Sequence, residues 1–459
     1  MAVAMRTRGT AQHTSMRRPY SSLAADVLAL AIGLTTTWTV RFVGDLPVAE
    51  VFLIPALPLL IATRVNRAFR RDVRPILILM GLWLLGQVLS DIYRSTPMQY
   101  WMRGDAAILF FAMDLIALVV LLGRNNRRKI IFVAGSAVGS LLVTWLHPTE
   151  NAIEAPWKFG YSSGTITLVL LISCFFYSRR NYIVTGALLF GILGVNLLLN
   201  FRSPVLDLLV AIVLILPVVP ERIGRLRILP HAGSVLRVAV LVGFALGAAW
   251  SAGQLVKLAS SSGIIGEEAQ EKNETQAKAG VLLGGRPEIQ VSAVAVWDSP
   301  ILGHGSWAQD YKYIEMLNDI EVEQGIPFEL EFVESSSGGG LIPSHSHLMG
   351  AWVWAGILGA VFWAYILWMA FRGTLRVAIL RPPMAPLFAV LVPAMIWNIL
   401  FSPFGLSVRM SDALTIVIMA DLLENSKSTA GDTWARLRGR LTGNQFPRRS
   451  NPRVAPMVR

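Results

Sequence analysis

Apolar runs of about 20 residues, each long enough to cross the ~30 Å hydrocarbon core of a bilayer as a helix, recur from Ser22 to Leu423. Twelve spans are predicted, near residues 22–40, 47–63, 75–93, 105–123, 130–146, 162–178, 182–200, 204–220, 234–253, 346–371, 383–401 and 406–423. Of the 459 residues, 54% are hydrophobic and 15% are charged, with a mean hydropathy of +0.54. An ordinary soluble domain is about 25% charged. A soluble chain this apolar could not keep its surface wet, and a disordered one needs the opposite composition. The expectation is an all-α, polytopic membrane protein.

The net charge of +12 would suggest nucleic acid in a soluble chain. In a membrane protein each charge is first assigned to a side. Thirty of the 41 basic residues fall in the two tails, in the loops after spans two, four, six, eight and ten or, for Arg237, at the start of span nine. Cytoplasmic loops carry the excess of Lys and Arg, so both termini are expected in the cytoplasm and no nucleic-acid partner is implied. Arg6, Arg8, Arg17 and Arg18 precede the first run like a signal-peptide n-region. No small-residue cleavage site follows, and the first helix is read as uncleaved. The single Cys174 permits no internal disulfide framework, and no Cys/His cluster has metal-ligand spacing; neither metal nor cofactor is expected. The chain then divides into a basic tail (1–21), spans one to nine (22–253), an insertion (254–345), spans ten to twelve (346–423) and a second basic tail (424–459).

That insertion faces the outside, the periplasm of a diderm bacterium. It is acidic, with 14 Asp/Glu against five Lys/Arg. Residues 267–278 are polar throughout. Pro287 to Asp298 reads as a short helix, started by proline and stopped at Ser299-Pro300. Trp307, Tyr311, Ile314 and Leu317 recur at helical spacing, predicting an amphipathic second helix ended by Gly325. Residues 335–340, Ser-Ser-Ser-Gly-Gly-Gly, have linker composition. The other loops only turn the chain, so this one is the place for a site, or else an ectodomain for partner contact.

Six histidines narrow the search. His13 and His231 lie on the cytoplasmic side, and His147 opens a short outer loop. His304 stands between glycines in a predicted tight turn. His345 and His347 stand where the insertion re-enters the membrane. Ser344 is a natural N-cap, which puts His345 in the first helical turn, where the positive end of the helix dipole disfavours imidazolium. A neutral His345 behind a Ser/Gly lid is a candidate general base; the alternative is an interfacial pair of histidines that caps a helix. Arg202 sits between spans seven and eight with almost no loop to keep it in water, and an ionised group at that depth suggests function. Arg286 begins the Pro287 helix, whose amides also attract anions. Guanidinium forks suit phosphate oxygens, although Arg202 could pair with Asp207 and Arg286 with a loop carboxylate. Asp26, Asp114 and Asp207 are intramembrane carboxylates expected to pair with Arg, Asn or Ser. The tryptophans of span ten (Trp352, Trp354, Trp363, Trp368) read as packing, with sugar stacking a lesser alternative.

In order along the chain, three segments resemble the O-antigen ligase and polymerase superfamily of bacterial membrane glycosyltransferases. Asn-Phe-Arg202-Ser-Pro-Val-Leu is similar to that family's Ser-Arg-small-x-x-Leu segment. Gly-Gly-Arg286-Pro-Glu-Ile, running on to Pro300-Ile-Leu-Gly303-His-Gly305, resembles its Gly-Arg … Pro-Leu-x-Gly-x-Gly block. His345-Ser346-x-x-Met349, followed by Gly356 and Gly359, resembles His-Asn-x-x-Leu … Gly-x-x-Gly, a register that selects His345 over His347. Ser346 stands where the family has Asn, and Trp354 where an acidic residue often precedes the glycine. The motifs cover roughly residues 180–365.

The resemblance implies a GT-C-like bundle of about twelve helices with one large helical periplasmic loop, in the bacterial inner membrane. It implies a metal-independent, inverting transferase whose donor is a glycan on undecaprenyl pyrophosphate. In that mechanism Arg202 and Arg286 hold the pyrophosphate and His345 deprotonates the acceptor hydroxyl, with Ser346, His347 and His304 in support. A polymerase of O-antigen or exopolysaccharide repeat units is the reading preferred, because nothing signals lipid A-core, the acceptor of a ligase. A membrane transporter is the alternative from another class, disfavoured by the lack of pseudo-symmetric halves.

Overall fold

The computed structural model describes residues 20–41, 45–199, 201–215, 286–323 and 340–424. Its helices are α1 (Tyr20–Thr35), α2 (Val48–Ala68), α3 (Arg74–Arg94), α4 (Met98–Leu122), α5 (Asn126–Leu146), α6 (Glu150–Glu154), α7 (Ser162–Ser178), α8 (Tyr182–Leu198), α9 (Arg202–Ile215), α10 (Glu288–Asp298), α11 (Tyr311–Glu323), α12 (His347–Ala355), α13 (Ile357–Leu380), α14 (Ala385–Phe401) and α15 (residues 409–424). A π-helical turn, Trp157–Tyr161, leads into α7. The β structure among these residues is a short antiparallel pair, Thr39–Arg41 with Asp45–Pro47, and an isolated bridge between Gln309 and Leu341. The pair occupies the outer end of the predicted first span, which stops as helix at Thr35.

Among the described residues, five helices are long and apolar enough to cross a bilayer: Arg74–Arg94, Met98–Leu122, Asn126–Leu146, Trp157–Ser178 and Ile357–Leu380. Five more, from α1, α2, α8, α9 and α14, are apolar but shorter. Many of their large side chains point away from the protein; Ile183 and Leu198 are 86% and 84% exposed. Such a surface would be unstable in water and is at no disadvantage in lipid. This is an α-helical membrane protein. The predicted ninth span, most of the insertion with its Gly325 stop and Ser/Gly linker, and both basic tails lie outside the described residues.

Without a hydrophobic drive between helices in lipid, close backbone approach and polar contacts hold a bundle together. Gly33 of α1 and Gly139 of α5 meet the opposing backbone so closely that a Cβ would lie 2.3 Å from the Phe132 carbonyl and 2.2 Å from that of Leu34. In the core, Trp83 stacks on Phe362 at 5.1 Å and Phe111 on Trp363 at 5.9 Å, with Phe404 edge-on to Trp83, Phe111 and Trp363.

At one end of the bundle, basic residues of the loops after α2 and α4 meet the ends of α1 and α15. Arg70 donates to Asp421 at 2.5 Å and pairs in charge with Asp72 at 3.0 Å, Lys129 bonds the other oxygen of Asp421, and Arg124 reaches Glu424 at 3.3 Å. Asp26 accepts from Arg128 at 3.1 Å and pairs in charge with Arg127 at 3.2 Å, as the sequence suggested for it. Asp114 breaks the pattern: it is fully buried beside the carboxyl of Glu50 and makes no ion pair among the described residues.

Span ten is not one helix. Gly356 interrupts it with φ 66° and ψ −157°, a conformation essentially reserved for glycine. Along a continuous helix Ala351 and Gly359 would be about 12 Å apart, yet a Cβ on Gly359 would lie 2.4 Å from the Ala351 carbonyl. The ring of His347 sits 4.7 Å from that of Trp363. The chain therefore folds back, and α12 and α13 form a helical hairpin with Gly356 at its tip.

The segment after α10 clasps that tip. His304 N–H donates to Val353 O at 2.6 Å, Gly305 N–H to Trp354 O at 3.1 Å, and Ile357 N–H to Ile301 O at 3.1 Å. Gly303 and Gly356 touch backbone to backbone, a Cβ on Gly303 falling 2.7 Å from the Gly356 nitrogen. A polar stripe on α3 locks the clasp from below. Ser90 Oγ donates to the carbonyls of Leu302 and Trp354, Arg94 holds Gly303 O at 2.9 and 3.0 Å and Ser299 Oγ at 2.7 Å, and Asp91 accepts from Ser306 N and Oγ, both at 2.6 Å.

Candidate active site

Helix α10 begins at Glu288 because Pro287, at φ −60° and ψ −25°, is already helical and has no N–H to satisfy. Its inner face, Val291, Ser292, Ala295 and Val296, is buried, with Tyr313, Ile342 and Val353 in the same small core. The start of α10 is thereby held beside the start of α12. Helix α11 is amphipathic, and the prediction holds in part: Ile314 and Leu317 pack inward beside Tyr313, whereas Tyr311 is exposed and Trp307 precedes the helix. Trp307 stacks on Trp354 at 5.9 Å instead.

The N-cap of α12 is Ser346, not Ser344. Ser346 Oγ accepts from Met349 N–H at 3.1 Å and donates to Ile399 O at 2.7 Å. Extended φ and ψ at Ser346 suit a cap whose hydroxyl must swing back over the first turn. His345 consequently lies just before the helix and outside the first turn, so the helix dipole is not what governs its charge.

Next in line is His347, completely buried in the aromatic core. Its Nδ1 contacts Ser402 O at 2.6 Å and its Nε2 contacts Asp412 Oδ2 at 3.0 Å. A carbonyl can only accept, so Nδ1 carries a hydrogen, and one further proton is shared between Nε2 and Asp412. With both nitrogens engaged and no exposure, His347 anchors α12 to α14 and α15 and cannot meet a substrate.

Arg286 and His345 come together around the end of α14. Arg286 Nη1 donates to Phe401 O, and its guanidinium lies 5.7 Å from the Trp397 ring. His345 Nδ1 stands 3.7 Å from Glu288 Oε1, with their side chains 43% and 24% exposed. Burial pushes the His345 imidazole below its usual range; the Arg286 cation adds to that effect and the Glu288 carboxylate opposes it. Burial also lowers Arg286, opposed by Glu288, but a guanidinium stays charged at any physiological pH. The pair offers a neutral nitrogen base next to a partly dehydrated cation with five N–H donors, which is the chemistry needed to take a proton while steadying a departing anion.

The remaining predicted residues lie elsewhere or beyond description. His304 belongs to the clasp: its Nε2 contacts Ala295 O at 2.8 Å and its ring lies edge-on to Tyr313 at 5.6 Å. Arg202 is the first residue of α9, which packs along α14; its side chain lies outside the described residues. Ser346 acts by capping and anchoring.

Sequence reading passed over Glu288, one carboxylate among 14 in the insertion with nothing in its spacing to single it out. It also passed over Glu50, which takes Arg409 bidentately at 2.7 to 3.0 Å in the buried interior. The α3 stripe was readable: Gln87, Ser90, Asp91 and Arg94 fall at i, i+3, i+4 and i+7 in an apolar run, which is one helical face. No family model matches the chain, and no curated protein matches it.

Proposed function

We propose that this protein is a membrane glycosyltransferase of the class its motifs resemble. It moves a glycan from undecaprenyl pyrophosphate to an acceptor sugar hydroxyl at the outer face of the bacterial inner membrane, polymerising O-antigen or exopolysaccharide repeat units. Twelve spans, cytoplasmic termini and an inverting, metal-independent reaction belong to this reading. The observation that carries it is the convergence of His345 and Arg286, far apart in sequence: each interacts with the other and with Glu288, and Arg286 is held by the Phe401 carbonyl at the end of α14. His345 accepts the hydroxyl proton as the oxygen attacks the anomeric carbon from the face opposite the diphosphate. Arg286, joined by Arg202, binds the diphosphate and stabilises the charge that grows on it as the bond breaks. A diphosphate leaves without help from a general acid.

The test is complementation of a deletion strain, read on lipopolysaccharide and exopolysaccharide gels. His345→Ala and Arg286→Ala abolish long polymer and leave single repeat units. Accumulation of long lipid-linked chains instead identifies a ligase, and full polymer with His345→Ala refutes the catalytic assignment. A transporter moves substrate in proteoliposomes and transfers no sugar from purified donor.

A further inference from the structure

We infer that Glu288 is the positioning carboxylate of His345, holding the hydrogen on Nδ1 so that Nε2 is the atom that takes the acceptor proton. The chemical half of this inference rests on the transferase reading above; the contact itself does not.

Glu288 opens α10 with Oε1 3.7 Å from His345 Nδ1. Its other oxygen, Oε2, is buried with no hydrogen-bond partner among the described residues. Buried polar atoms left without a partner are uncommon and call for a reason. A carboxylate tied into structure would have spent both oxygens, as Glu50 does on Arg409. Glu288 is instead kept available, aimed at an imidazole that precedes its helix and is not fixed by helical geometry. A separation of 3.7 Å exceeds a direct hydrogen bond, and an approach of about 0.8 Å would make one. Such bonds commonly tighten only when the site is loaded.

A neutral imidazole has one N–H and one lone pair. An acceptor at Nδ1 assigns the hydrogen there and leaves the lone pair on Nε2, on a ring whose side chain is 43% exposed. As the acceptor oxygen bonds to the anomeric carbon, its proton passes to Nε2. The bond from that carbon to the diphosphate oxygen breaks, and its electron pair stays on the diphosphate beside Arg286. The resulting imidazolium is stabilised by the Glu288 carboxylate until its proton passes to water.

Among the described residues, Arg286 and Glu288 act on this ring, and Glu321 of α11 acts on Glu288. Glu288 therefore has a second effect. Without it, Arg286 and burial would act on His345 unopposed and leave it a weaker base.

The full chain in nanodiscs, labelled with ¹⁵N-histidine, tests this in the wild type, Glu288→Gln and Glu288→Asp, with the His345 signal identified by its loss in His345→Ala. The wild type should show the Nδ1–H tautomer. Glu288→Gln should lose that preference and titrate at lower pH, and Glu288→Asp should restore part of both. With an undecaprenyl-pyrophosphate-linked repeat unit as donor, Glu288→Gln should lower kcat about 100-fold with donor KM within about 3-fold, Glu288→Asp recovering most of it. The acid limb of the rate profile should follow the NMR midpoint. An unchanged His345 titration in Glu288→Gln overturns the contact whatever the activity. A shifted titration with unchanged kcat overturns the positioning role. A wild type that neither makes polymer nor transfers the glycan to lipid A-core overturns the transferase reading, and the titration then still decides the contact.

Discussion

His345 works as a base only while it is neutral, and burial with Arg286 holds its imidazole below the usual 6.5. The sign follows: the active form persists to a lower pH than a free histidine would allow, and activity is lost as pH falls through the lowered value. A pH–rate profile should therefore hold its plateau to a lower pH than a free histidine would allow and then drop with unit slope. A midpoint above 6.5 would refute this environment for the ring. At the same scale, Arg409 and Glu50 make a buried bidentate pair, and removing one partner leaves an uncompensated charge, which costs about 3–5 kcal/mol. Glu50→Ala should lower the detergent-solubilised melting temperature sharply, whereas Arg41→Ala, which breaks an exposed pair with Asp45, should leave it unchanged. His345 and Arg286 were legible in the sequence because their types and neighbours are unusual. The true cap was not: Ser344 and Ser346 carry the same hydroxyl, and only the carbonyl of Ile399, supplied by another helix, decides between them.

The α12–α13 hairpin depends on one backbone conformation and one close approach. A Cβ on Gly356 would lie 1.9 Å from the Ile301 carbonyl, in a region of φ and ψ that side chains avoid. Gly356→Ala should abolish the monodisperse peak in fluorescence-detected size exclusion. Gly191→Ala, with nothing within 4 Å of the added carbon, should not alter it. Hydropathy could not distinguish this hairpin from a straight span, since both halves are apolar and the total length fits a bilayer. Gly356 and Gly359 gave the only local sign. Their spacing acquires meaning only when the clasp from residues 301–305 is known to press on them.

Across the whole molecule, the basic loops after α2 and α4 gather at one end with Asp421 and Glu424, and the clasp caps the other. In a Cys174→Ser background, cysteines at Arg124 and Trp297 should label from opposite sides of sealed vesicles with a membrane-impermeant maleimide. Labelling of both from the same side would contradict the topology. The bundle class was readable from the length of the apolar runs alone, because a bilayer sets that length. The ion pairs joining distant helices were not, because each needs two partners that sequence leaves unpaired. The polar stripe of α3 also bears on how such a chain is made. Gln87 and its partner Ser306 are 219 residues apart, and a ribosome adding 5–20 residues per second takes about 10–40 s to cover that distance. For that interval Gln87, Ser90, Asp91 and Arg94 emerge without their clasp. Early spans must then be held by the insertion machinery, or shielded by neighbouring helices, until the latter part of the chain arrives to complete them.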